Sequence, residues 1–332
     1  LDKRQAFLSE LDRRWPRLAR EIRAAFKGLR DAADMTALRA AVEAQDVAAA
    51  MRAIGMDAGA LGAVTASLAA TYTAAGQAQV EAVRKASRAR GVPRGARITA
   101  GFDPGNPVAA EWARKLSSGR IQEIAEDTRE GIRATIRAGL DAGQSPLDTA
   151  RDVRGMIGLH SQQAAYVRNA RAELADPARM ANYFTRERRD RRFDPTVRKA
   201  MREGRALTRK EIDRIAGRYS ERLLIYRSET IARTETLAAL SAGRDEGIRQ
   251  LVESGKIEAD QVTRKWDATG DSKTRPSHAA ADGQERAQGQ PFAVGGYPMQ
   301  HPGDTSLGAP AGEVANCRCF MAISVSFFKG LR

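Results

Sequence analysis

Over roughly the first 255 residues, apolar positions recur at intervals of three and four; past Gly255 the period drops to two. Leu8, Leu11, Trp15, Leu18, Ile22 and Phe26 draw one apolar stripe along a first helix. Pro16 lies inside that stripe, and a proline there removes a backbone N–H and crowds the preceding turn, so a kinked or split helix is predicted. An Ala-rich helix pair is expected over 36–90. Gly91-Val-Pro93-Arg-Gly95 and Gly101-Phe-Asp-Pro104-Gly105-Asn-Pro107 are too rich in Gly and Pro for regular structure and predict a boundary. The next helix should run from near Ala109 to Ala142. Ser145 as N-cap, Pro146 at the first helical position and Asp148 in the first turn then open another. A further helix is expected from Ser161 to Leu174. Thr208-Arg-Lys-Glu211 is a capping box at the head of a long helix carrying Ile212, Ile215, Tyr219, Leu223 and Tyr226.

Val262 to Ala268 suits a strand. Near the end, Cys317, Cys319, Met321, Ile323, Val325 and Phe327 alternate with Arg318, Phe320, Ala322, Ser324 and Ser326, the two faces of one last strand. The pattern predicts a mainly α chain, with a long helical N-terminal body and a small α+β C-terminal domain. Its expected parts are an N-terminal helical region (1–100), a helical body (101–255) and the C-terminal domain (256–332).

Composition sharpens this picture. Aromatics are only 5% of the 332 residues, and Ala is abundant, which favours helices packed closely through small side chains. The most apolar stretch, Ala58 to Ala78, is interrupted by Thr, Ser and Gln and reads as a small-residue helix; no run of about 20 apolar residues spans a membrane. The sequence starts at Leu1, and no apolar segment follows it that would serve as a secretory signal. Two cysteines fit a reducing compartment and leave no disulfide framework.

The formal net charge is +14, and 45 of the 55 basic residues are Arg. Guanidinium groups pair bidentately with phosphate and carboxylate, so polyanions and acidic protein surfaces are the natural partners. High genomic GC content would enrich Arg too, but it does not explain the excess over acids. Residues 186–205 concentrate this charge. Arg188, Arg189, Arg191 and Arg192 are candidates for contact with phosphate or a partner protein. The competing reading, favoured by Glu187, Asp190, Asp194 and Glu203 in the same stretch, is a salt-bridged connector.

The chemistry-bearing residues cluster between Trp266 and Cys319. His278, His301, Cys317 and Cys319 are four donors of the types zinc prefers. On an extended strand, however, the two sulfurs would lie farther apart than the roughly 3.7 Å of a tetrahedral site, so a bend at Arg318 would be needed. The alternative places both cysteines in the core as small apolar residues. A hydrolytic reading, such as a metal-dependent nuclease, would use Asp267, Asp271, His278, Asp282 and Asp304; no nucleophile elbow, phosphate loop or metalloprotease helix accompanies them. Against it stands a structural reading in which these side chains cap turns and Asp271 pairs with Arg275.

Trp266-Asp-Ala, Asp271-x-x-x-Arg275-x-x-His278, Asp282-Gly-Gln, Pro302-Gly-Asp and Asn316-Cys-Arg-Cys319, in this order, resemble the C-terminal domain of phage Mu F-like head-morphogenesis (minor capsid) proteins. Ile231-Ala-Arg-Thr-Glu235 fits the same family, and a looser likeness begins near residue 120. The resemblance implies a structural, non-enzymatic protein of the phage head, made in the host cytoplasm. Its implied partners are the portal protein or the major capsid protein, with packaged double-stranded DNA as a further contact and no membrane. A toxin-like hydrolase and a DNA-condensing internal virion protein are the rival functions. Many F-like relatives carry a Cys-x-x-Cys where this chain has Arg275 and His278. The expectation is therefore no cofactor, zinc being the alternative, with Trp266, Asp271, Arg275, His278, Asp282, Cys317 and Cys319 as an architectural cluster.

Overall fold

The computed structural model describes residues 2–57, 59–89 and 92–328. Ala58 and Gly91, on which two sequence expectations rest, lie outside them. In chain order the helices are α1 (Lys3–Ala32), α2 (Met35–Glu43), α3 (Val47–Ala53), α4 (Gly62–Ala86), α5 (Pro107–Asp141), α6 (Pro146–Met156), α7 (Ser161–Ala175), α8 (Asp194–Arg202) and α9 (Arg209–Glu253). Then come β1 (Val262–Asp267), α10 (Pro276–Ala281), β2 (Glu285–Arg286), β3 (Phe292–Val294), β4 (Tyr297–Met299), α11 (Ala311–Val314) and β5 (Phe320–Val325). The chain is mainly α with an α+β C-terminal part, as the change of period predicts.

Local chemistry explains most helix ends. Asp34 and Asp46 accept the first backbone N–H groups of α2 and α3. Ser145 accepts from Asp148 N in front of α6 with Pro146 at its start. Thr208 and Glu211 complete the reciprocal cap of α9. Two expectations need correction. Pro16 does not split α1, which runs unbroken from Lys3 to Ala32. Among the described residues, 36–90 hold three helices, because Asp46 caps a new helix after a turn in which Gln45 takes a left-handed backbone.

The described chain divides into two units that are discontinuous in sequence. One gathers residues 1–19, 63–118 and 229–332, and the other residues 20–62 and 119–228. In the first, α4 and the second half of α9 pack through glycines. A Cβ on Gly243 would lie 2.9 Å from the Tyr72 carbonyl carbon, and one on Gly247 2.9 Å from the Gly76 oxygen. Close packing through small residues is what the Ala-rich, aromatic-poor composition predicts. The core of this unit joins Phe7 and Leu11 of α1 to Leu240 and Ile248 of α9, and to Trp266, Phe292, Phe320 and Met321 of the C-terminal part.

β1, β2 and β5 form an antiparallel sheet in the order β2-β1-β5; β3 and β4 form a separate hairpin. β1 pairs along its whole length with β5, from Val262 opposite Val325 to Asp267 opposite Phe320. The last strand is therefore shorter than the alternation from 317 to 327 suggests. Phe320, expected on the outward face, is buried against Phe7 with ring centroids 5.2 Å apart. In the second unit, Leu174, Met180, Tyr183, Val197, Ala200, Leu207 and Ile215 form a compact apolar cluster beneath α7, α8 and the start of α9.

Candidate functional site

The turn that opens the Asn316-Cys-Arg-Cys319 motif sets the geometry of the site. Asn316 takes a left-handed backbone (φ 52°), and its N–H donates to Thr234 Oγ1 on α9 at 2.9 Å. Asparagine tolerates that conformation better than most residues, because its side chain competes locally for backbone bonds. Cys317 and Cys319 thus fall before β5 and not on it, which corrects their placement on a regular strand; the turn comes at Asn316, one residue before the pair. The Cys319 N–H points at Cys317 Sγ at 3.4 Å. Opposite them, Pro276 starts α10 and brings His278 inward, so that Nδ1 lies 3.2 Å from Cys319 Sγ and 3.6 Å from Cys317 Sγ. All three side chains are buried.

The other ring nitrogen, Nε2, lies 3.2 Å from Glu313 Oε2, and Ser277 Oγ donates to that same oxygen at 2.8 Å. Trp266 closes the cluster edge-on, 5.8 Å from the imidazole and 5.4 Å from Phe292. Burial alone would lower the His278 pKa, but the Cys319 thiol hydrogen-bonded to it, helped by Glu313, outweighs burial and raises it. Cys317 accepts from Cys319, and that bond overcomes burial and lowers its pKa; the same bond, together with burial, pushes Cys319 well up. Of the two sulfurs, Cys317 is thus the one whose charged form is favoured.

His301, the fourth expected ligand, is not brought to this group: among the described residues, the three metal-type donors within 4.8 Å of one another are His278, Cys317 and Cys319. His301 is buried in its own turn, Nδ1 facing Pro302 O at 3.2 Å. The donor set supplies three ligands of the types zinc takes, and His301 does not add a fourth. Arg275, three residues before His278, donates its guanidinium to Ala315 O, and its positive charge works against a dication. Glu313 lies on the opposite edge of the imidazole from the sulfurs, so it does not complete their set.

The remaining motif residues hold backbone. Asp271 pairs bidentately with Arg318, at 2.6 and 2.7 Å, and not with Arg275 as expected. The cause is local: Asp271 caps its own turn through Lys273 N and Thr274, which turns the carboxylate toward the returning chain. Asp282 accepts from Ala268 N at 2.8 Å. Asp304 accepts from Gln300 N and Ser306 N. Gly303, left-handed at φ 86°, seats the Pro-Gly-Asp turn so closely on α9 that a Cβ would meet Ala238 Cα at 3.1 Å. Asp267 pairs with Arg4 at 2.9 Å. The carboxylates proposed for hydrolysis are thus separately engaged with backbone groups or cations.

Arg264 is the residue that sequence reasoning missed. Its side chain is fully buried, and its guanidinium donates to Asp245 Oδ1 and Gln300 O at 3.0 Å, to Ala287 O at 3.0 Å, and to Gln290 O. One side chain ties β1 to α9 and to two loops. The signal was present: Val262, Arg264 and Trp266 share the inward face of an alternating strand, and a charge there needs fixed partners.

In the arginine-rich stretch of the second unit, Arg186 pairs bidentately with Glu173, Arg189 with Asp194, and Arg192 with Asp190. The Arg192 guanidinium holds the Asp190 carboxyl down to about 2. Arg188 lies over the Tyr226 ring at 3.5 Å, and Arg191 is exposed. Arg233, in the other unit, packs on Trp15 of α1 at 4.2 Å.

No curated protein and no solved structure matches the chain. Residues 191–322 match the model of the family described as Phage Mu protein F like protein. That span takes in α9, β1, β2, the first half of β5 and every motif residue of the buried cluster. The segment 191–322, and the buried cluster with it, is thus similar to the phage Mu F-like family.

Proposed function

We propose that the protein is a structural minor head protein of a tailed phage, acting in capsid assembly by docking on the portal or the major capsid protein. The observation that carries this reading is how the matched segment spends its motif residues. Trp266, Asp271, Arg275, His278, Asp282, Asp304 and both cysteines each hold a turn, a backbone group or one another. Such a site fixes the shape of a domain, which is what a docking element needs. On this reading the cluster is architectural and metal-free, and the Arg275 charge acting on His278 and Cys317 disfavours a dication there.

The test is compositional. Mass spectrometry of purified virions should find the protein, and tagged protein should co-purify with proheads or portal. Its absence from both would remove the assembly reading. Elemental analysis should find no stoichiometric zinc, and chelator should leave unfolding of the C-terminal part unchanged; about one zinc per chain would overturn the metal-free assignment.

A further inference from the structure

A groove of about 700 Å³ opens in the first unit between the start of α1, the alanine face of α4 and the outer edge of β5. Its walls are mostly apolar, with Phe7, Ala78 and Val83 among them, and Ile323, Ser324 and Val325 form one side.

The backbone of that side is the informative part. Trp266 bonds through both its N–H and its C=O to Gln284 and Gly283, away from β5. Its partner Met321 is therefore a residue whose polar groups face away from β1, and by alternation so are Ile323 and Val325. Ser326 N donating to Gln261 O fits the same parity. The Met321 carbonyl is met by Arg244 Nη1 at 3.0 Å. Among the described residues, the N–H and C=O groups of Ile323 and Val325 have no partner, and they face the groove. Unpaired edge groups beside an apolar trough are the two halves of a strand-addition site: the edge supplies main-chain bonds, and the trough takes every second side chain.

Charge selects the occupant. Lys3, Arg13, Arg14 and Arg244 line the groove against one acid, Glu10. Glu10 is already shared by Arg13 and Arg14. Arg244 reaches Met321 O and Gln79 Oε1 and rests on the Phe320 ring at 4.6 Å, with no carboxylate within 4 Å among the described residues. A guanidinium held by neutral partners in an apolar wall is a ready site for an incoming carboxylate.

We propose that this groove captures an extended segment of another protein, alternately apolar and acidic, which adds as a fourth strand beside β5. The segment pairs with the edge groups of Ile323 and Val325, lays its apolar side chains between α1 and α4, and places a carboxylate on Arg244. This surface does not depend on the assembly reading, since it follows from the edge and the charge alone.

The test uses the full chain and a fluorescein-labelled peptide of about eight residues alternating Val with Glu, about the length of one ordinary strand. The peptide should bind saturably and slow hydrogen exchange at the Ile323 and Val325 amides, which exchange fast without it. Val325→Pro removes an edge donor without touching the β1 ladder, and should weaken binding about tenfold, the scale of one or two edge hydrogen bonds. Ala78→Trp fills the trough and should weaken binding independently. An unchanged far-ultraviolet spectrum and melting midpoint certify both variants as folded. Slow exchange at the two amides in the isolated chain, absence of saturable binding, or binding indifferent to both variants would overturn the proposal. A dimer in sedimentation that Val325→Pro dissolves would make the occupant a second copy, and would overturn it as well.

Discussion

At the scale of single residues, the buried polar groups decide more than the apolar ones. Arg264 is the clearest case, because its guanidinium is fully buried and spread over Asp245 and three loop carbonyls. Arg264→Met keeps much of the volume but strands a carboxylate and several carbonyl groups; removing one partner of such a pair costs about 3–5 kcal/mol. Urea unfolding should show a loss of that size, and a loss under about 1 kcal/mol would mean water satisfies the freed groups. His278 makes a second prediction, with its sign fixed by its raised pKa. A group whose folded pKa lies above its unfolded value, near 6.5, stabilises fully below that pH and ceases to do so as pH rises through the folded value. The stability difference between the wild type and His278→Gln should therefore be largest below pH about 6.5 and shrink on the alkaline side. A difference that grows with pH would assign the proton elsewhere in the cluster.

At the scale of elements, the two halves of α9 make opposite demands on glycine. Gly243 is where α9 meets the Tyr72 carbonyl of α4, and Gly217 is an exposed interior position with open space around it. Gly243→Ala should cost about 1–3 kcal/mol through overpacking. Gly217→Ala should add about 0.5–1 kcal/mol by lowering the backbone entropy lost on folding. Thermal denaturation of the two variants checks both signs; equal effects would mean that α4 and α9 are not in close contact. Much at this scale could be read in advance. The capping box at Thr208, the Ser145-Pro146 start and the strand at 262–267 are set by side chains within a few residues, and the sequence shows those residues directly. The length of β5 could not be read, because pairing with β1 and the turn at Asn316 cut short a run whose alternation continues past both ends of the strand.

At the scale of the whole molecule, a net charge of +14 invites a nucleic-acid reading, yet much of the arginine is committed to internal ion pairs. If the full chain binds duplex DNA, each neutralised phosphate contributes about −0.9 to the slope of log affinity against log salt. Replacing Arg188 and Arg191 with Glu should leave that slope unchanged, since Arg188 is stacked on Tyr226 and its neighbours Arg189 and Arg192 are tied to acids. A flattening by about two such increments would make this stretch a phosphate contact after all. The sequence by itself determined the helical class, the change to a small sheet past Gly255, most helix starts and the family likeness, because period, caps and motif order are local properties of the chain. It also placed most of the cluster, His278, Cys317, Cys319 and Trp266, in one stretch. Only the tertiary structure decided which of these residues meet. It left His301 in its own turn, gave Asp271 to Arg318, placed Arg264 at the hub of the C-terminal part and, among the described residues, left the outer edge of β5 without a paired strand. Those outcomes depend on which distant segments pack together, and residue spacing along a loop of this length does not fix the direction in which the chain returns.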